Sequence, residues 1–118
     1  MIVDDNERFL AVARVRLTRD GLDVVGTATT QKEALAKAEE LQPDVVLVDI
    51  SLGTESGFDL TRRLVEDFPS LESRVVLIST RDQDDFADLI AASPAAGFLP
   101  KNLLSASAVL DLVSVKDC

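Results

Sequence analysis

Histidine is missing from all 118 residues. Its absence excludes the Ser-His-Asp and Cys-His nucleophile arrangements, histidine zinc sites and imidazole acid–base chemistry together. Cysteine occurs once, as Cys118 at the end of the sequence, so no intrachain disulfide can form and a reducing compartment fits. Positive charge is scarce. Twelve Lys and Arg stand against 21 Asp and Glu, a net charge of −9, which argues against nucleic acid as a direct partner. No apolar run approaches the roughly 18 residues of a membrane span. The opening MIVDDNERF turns acidic at Asp4, unlike a signal peptide, so a cytoplasmic location is expected. What remains is 47 % apolar, enough for a core, in a length that suits one domain over residues 1–118. Chemistry here has to run on carboxylates, hydroxyls, lysine and a hard metal.

Short apolar runs alternate with longer amphipathic stretches. Met1, Ile2 and Val3 form a first run that ends at Asp4-Asp5. Phe9, Leu10, Ala13 and Leu17 then recur at helical spacing, with Asn6 as the predicted N-cap and Gly21 as the stop. Residues 22–25 read as a second strand, and 31–41 as a helix capped by Thr30 and closed by Pro43. Residues 45–48 are a continuous β-branched and leucine run, the pattern of a strand covered on both faces. Leu60, Leu64 and Phe68 mark a helix stopping at Pro69, and residues 75–78 repeat the buried-strand pattern. Residues 84–93 predict a helix, 97–99 a weaker strand and 103–115 a final helix. Five strand–helix units with short connections call for a parallel sheet with helices on both faces. The first strand is short, as though trimmed at its start.

In open α/β sheets the ligand site lies beyond the carboxyl ends of the strands. Asp4 and Asp5 follow the first run, Asp49 the third, Ser79 and Thr80 the fourth, and Lys101 lies just past the fifth. Singly, each has an ordinary explanation: a helix cap, a loop hydroxyl, a surface charge. Asp49 resists this best, because Ile50 follows it rather than a helix. Three neighbouring carboxylates repel one another, so one takes a proton or a cation neutralises them. Oxygen ligands without His or Cys favour a hard ion, and a few carboxylates plus water suit Mg²⁺. With Lys101 and Ser79 beside them, this is equipment for phosphoryl transfer onto a carboxylate.

These residues resemble the receiver domain of two-component response regulators, over essentially the whole chain. The resemblance rests on Asp4-Asp5, Asp49 in VVLVDISL, Gly57, Ser79 in VVLIST, Phe98 and Lys101 in GFLPK. It implies an α/β fold, a (βα)5 doubly wound five-stranded parallel sheet of flavodoxin-like order 2-1-3-4-5. It implies that Asp49 accepts a phosphoryl group from a phosphohistidine on a sensor histidine kinase or histidine phosphotransfer protein. Asp5, Asp49 and the Ser51 carbonyl would hold Mg²⁺, with Asp4 acting mainly through a coordinated water. Lys101 would pair with Asp49 and then with the phosphoryl oxygens. Ser79 would move to the phosphoryl group, and Phe98 would rotate inward behind it. Such a domain is no enzyme toward other molecules: it promotes only its own phosphorylation and dephosphorylation. Its output, and any homodimer, would use the fourth helix, fifth strand and fifth helix, around residues 86–115. An output domain is expected to be absent or removed, and any DNA binding would belong to that part.

The sequence departs from the family pattern at four places. Asn102 follows the lysine where proline is usual, with Pro100 before it. Gly53 replaces a common proline, Thr80 stands where Ala or Gly is common, and Phe98 stands where Tyr is also common. Ser51 and Arg81, each two residues past a site residue, are expected to overhang the phosphoryl group. A haloacid-dehalogenase-type phosphatase would need its nucleophile after the first strand in an Asp-x-Asp arrangement. A flavin module would need a Ser/Thr/Gly-rich phosphate loop where DDNE stands. The remaining alternative is a phosphorylation-independent pseudo-receiver acting as a protein-interaction module.

Overall fold

The computed structural model describes residues 1–81 and 83–114. Its strands are β1 (Ile2–Val3), β2 (Thr27–Ala28), β3 (Val46–Asp49), β4 (Ser51–Leu52), β5 (Glu55–Ser56), β6 (Val75–Ser79) and β7 (Gly97–Pro100). The helices are α1 (Glu7–Arg19), α2 (Gln31–Leu41), α3 (Gly57–Asp67), α4 (Ala87–Ala92) and α5 (Ala106–Ser114). Five strands form one parallel sheet in the order β2-β1-β3-β6-β7, the expected 2-1-3-4-5 topology once an added hairpin is discounted. Among the described residues, no helix is long and apolar enough to cross a membrane.

Strand pleat divides the core into two layers. Val3, Val46, Val48, Val75 and Leu77 face α2 and α3, meeting Ala34, Ala38, Leu60 and Leu64. Their neighbours Ile2, Leu47, Val76 and Ile78 face α1 and α5, meeting Leu10, Ala13, Leu17, Val109 and Val113. Alternate residues of an all-apolar run thus serve opposite cores, which is why β3 and β6 carry no polar residue before their last position.

The caps fall where the sequence puts them. The Asn6 side chain accepts from the Phe9 N–H, and Thr30 from the Glu33 N–H. Three elements differ from expectation. Residues 22–25 are not a strand: Ile2 pairs with Thr27 and Val3 with Ala28, which places β2 after that segment. The fourth helical stretch is a 3-10 turn (Gln83–Phe86) followed by the six-residue α4, which buries none of its residues. The last helix starts at Ala106 rather than 103, because Lys101–Leu103 form a 3-10 turn and the Ser105 hydroxyl accepts from the Ala108 N–H. Val115 and Cys118 lie outside the described residues.

The hairpin of β4 and β5, directly after Asp49, was not expected from the sequence. Gly53 sits in its turn at φ +63°, a left-handed conformation that proline cannot adopt. The family's proline could not occupy this turn as it is built here.

Candidate functional site

The carboxyl ends of β1, β3, β6 and β7 gather the predicted residues on one rim. Asp4 leaves β1 fully buried, whereas Asp5 beside it is exposed. The Asn6 N–H donates to Asp4 Oδ1 over 2.8 Å. Asp49 ends β3, buried, and its Oδ1 accepts from the Ser51 N–H at 3.2 Å. Carboxylate oxygens of Asp4, Asp5 and Asp49 all lie within 4.8 Å of one another.

Lys101 enters from the turn after β7. Its Nζ stands 2.5 Å from Asp4 Oδ2 and 3.4 Å from Asp49 Oδ2, and it donates a hydrogen bond to the latter. The lysine thus bridges both buried carboxylates, lying nearer Asp4 than the expected partner Asp49. The contact with Asp4 is a charge contact off the hydrogen-bonding direction, leaving Asp4 Oδ2 buried without a hydrogen bond. Burial first, and the charge of Asp4 second, push the Asp49 carboxyl up to about 6 from 3.8, against the opposing pull of Lys101 and the Ser51 N–H.

Could these residues hold a metal? Three ionised carboxylates against one ammonium leave two negative charges, the balance a divalent cation would close. The donors are oxygens only, and one buried oxygen lacks a hydrogen-bond partner. The set fits a hard divalent ion.

Ser79 ends β6 buried, its Oγ accepting from the Arg81 N–H at 3.0 Å. Phe98 is already inward, packed in the layer that contains Leu60, Leu64 and Leu77. Ser51 is exposed on the hairpin, whose turn at Gly53 lies beside the Asp5 carboxylate. The Arg81 guanidinium lies 6.0 Å from the Phe86 ring centroid, so an aromatic face occupies the charge expected to overhang Asp49. Thr80 is exposed and lines a cleft of about 520 Å³ with Asn6, Phe9, Pro100, Lys101 and Asn102.

Sequence reasoning missed two sets of supporting residues. Behind the hairpin, Gln31 is buried: its N–H donates to Glu55 Oε1 at 3.0 Å and its Nε2 to the Ser56 carbonyl at 3.1 Å. The signal was present, since Gln31 falls on the same buried stripe of α2 as Ala34 and Ala38. The second is Phe9, whose ring centroid lies 4.3 Å from Lys101 Nζ. Its helical spacing marks it only as a core-facing position.

Compared with known proteins, the chain matches the family described as response regulator receiver domain over residues 1–113. It is 35 % identical over 102 residues to the response regulator GacA of Pseudomonas viridiflava, covering 86 % of this chain and 47 % of that protein. It is 28 % identical to the transcriptional regulatory protein DegU of Brevibacillus brevis, over 98 % of this chain and 48 % of that one. The chain spans about half the length of these relatives. Among solved structures it is similar to the signal receiver domain of the putative response regulator NarL from Mycobacterium tuberculosis, at 29 % identity and TM-score 0.77, covering 99 % and 91 % of the two chains. A response regulator from Burkholderia pseudomallei, solved with a phosphorylated aspartic acid, calcium ion and citrate, matches at 25 % identity and TM-score 0.80, covering 98 % and 69 %.

Proposed function

The chain belongs to the response regulator receiver domain family, and from that premise we propose that Asp49 is its phosphoacceptor in a Mg²⁺-dependent reaction. The observation that carries this reading is a buried carboxylate at the end of the central strand, bridged to Lys101 and within 4.8 Å of two further carboxylates. Asp5, Asp49 and the Ser51 carbonyl would hold the ion, with Asp4 behind them, and the bound ion would offset charge on the incoming phosphoryl oxygens. An Asp49 oxygen forms the new P–O bond as the P–N bond of a phosphohistidine breaks, the imidazole leaving with the electron pair. Lys101 neutralises charge on the transferred group, and the Ser79 hydroxyl donates to it. The domain itself carries no histidine, so the donor would be a phosphohistidine outside it, on a sensor histidine kinase or a histidine phosphotransfer protein.

The domain then promotes only its own phosphorylation and dephosphorylation, and its product is a changed surface. The face formed by α4, β7 and α5 is suited to that output, because α4 buries no residue and Leu89 and Leu110 are exposed there. The test is transfer from a purified, radiolabelled phosphohistidine protein. Label should move to this chain only with Mg²⁺ present, and retention on the donor would refute the reading.

The Asp49 carboxyl supplies a pH signature. Its folded value of about 6 lies above the unfolded 3.8, so the folded state holds the proton more tightly. Without divalent cation, the Asp49 contribution to stability should therefore be lost as pH rises from about 4 to above 6. Mg²⁺ should restore it at pH 7, and Asp49→Asn should flatten the profile. Urea midpoints across that range, with and without Mg²⁺, would show it. A midpoint difference between wild type and Asp49→Asn that does not change with pH in the cation-free protein would contradict the burial argument.

A further inference from the structure

The Lys101 ammonium has three N–H donors and is held from three sides. Two are carboxylates, with Asp4 Oδ2 at 2.5 Å and Asp49 Oδ2 at 3.4 Å. The third is the Phe9 ring, its centroid 4.3 Å away, which is cation–π distance. Only 13 % of the lysine side chain is exposed.

The ring and the first carboxylate come from the same short segment. Asp4 accepts from the Asn6 N–H, the Asn6 side chain accepts from the Phe9 N–H, and Phe9 and Asp4 both contact Lys101. The start of α1 thus closes a loop of contacts around one ammonium. Beyond the ring lies the cleft of about 520 Å³ that Phe9 and Lys101 both line. A smaller side chain would open the ammonium to water from that side. A residue there only to fill the core would have no need of a π face toward a cation.

We infer that Phe9 is a positioning residue for phosphoryl transfer: its ring face keeps the Lys101 ammonium dry and directed at Asp49. The inference rests on Asp49 being the phosphoacceptor. It concerns the ring as both π face and cover of the ammonium, so Phe9→Tyr keeps the interaction and Phe9→Leu removes it.

The experiment compares wild type, Phe9→Tyr and Phe9→Leu in two readouts. One is the ring-current upfield shift of the Lys101 ε-methylene protons by NMR. The other is the rate of phosphorylation by acetyl phosphate with saturating Mg²⁺, as a function of donor concentration. Wild type and Phe9→Tyr should show the shift and equal rates. Phe9→Leu should lose the shift and react about three- to tenfold more slowly at saturating donor, with little change in half-saturation. Equal rates in Phe9→Leu and a normally reactive wild type would overturn the role of Phe9 alone. Equal losses in Tyr and Leu variants would make it a packing residue, and no shift in the wild type would remove the geometry itself. A wild type that accepts no phosphoryl group would overturn the reading of Asp49 and, with it, Phe9's part in transfer.

Discussion

Incubated with acetyl phosphate and Mg²⁺, the protein should gain a single phosphoryl adduct by intact-mass spectrometry, and Asp49→Asn should gain none. The substitution keeps size and shape at a buried position, so the fold should survive it. What it removes is the nucleophilic oxygen charge, and the expected loss in rate is at least about a hundredfold, since no neighbour repeats that geometry. Asp4 is fully buried and bound to Lys101, and Asp5 is exposed beyond the end of β1. Chelating the cation should have the same effect as the substitution. No adduct on a folded, Mg²⁺-supplied wild type would move the domain to a phosphorylation-independent interaction module. An adduct that persists in Asp49→Asn would assign the chemistry to another carboxylate.

The second large effect falls on Gly57. Alanine is the better helix former by about 1 kcal/mol, so propensity alone predicts that Gly57→Ala at the start of α3 stabilises the protein. The structure reverses that sign. A Cβ on Gly57 would lie 2.0 Å from the Asp49 carbonyl oxygen and 2.8 Å from both the Asp49 carbonyl carbon and Ile50 Cα. All three are backbone atoms of the central strand and its exit, so no rotamer change relieves the overlap. The Gly57 N–H also donates to the Ile50 carbonyl at 2.7 Å, which fixes the close approach. Gly57→Ala should cost about 3 kcal/mol or more, read as a lower urea midpoint. Because the displaced atoms carry Asp49, molecules that still fold should phosphorylate more slowly. An unchanged midpoint would mean that α3 can start further from β3 at no cost.

The sheet was legible in the sequence because its central strands are buried on both faces, and an unbroken apolar run such as 45–48 has no other economical place. The caps at Asn6 and Thr30 were legible because capping is a contact within one turn. The weaker elements were misplaced where pairing or a local turn outranked pattern. Residues 22–25 look like a strand by composition, yet the ladder of β1 begins opposite Thr27. The last helix begins at Ala106 because Lys101–Leu103 turn first. The β4–β5 hairpin carries no alternating pattern, since it is two residues on each side.

The rim of Asp4, Asp5, Asp49, Ser79 and Lys101 was decided by the sequence alone, because strand ends in a parallel sheet share one edge and each of these residues follows a run. Depth and partnership within that rim were decided only by the tertiary structure. Nothing in the adjacent pair Asp4-Asp5 says which is buried, that Lys101 reaches Asp4 more closely than Asp49, or that Phe9 faces the ammonium. Those contacts join residues more than forty positions apart, and pattern along a chain reports which face a side chain takes. It does not report what meets it there.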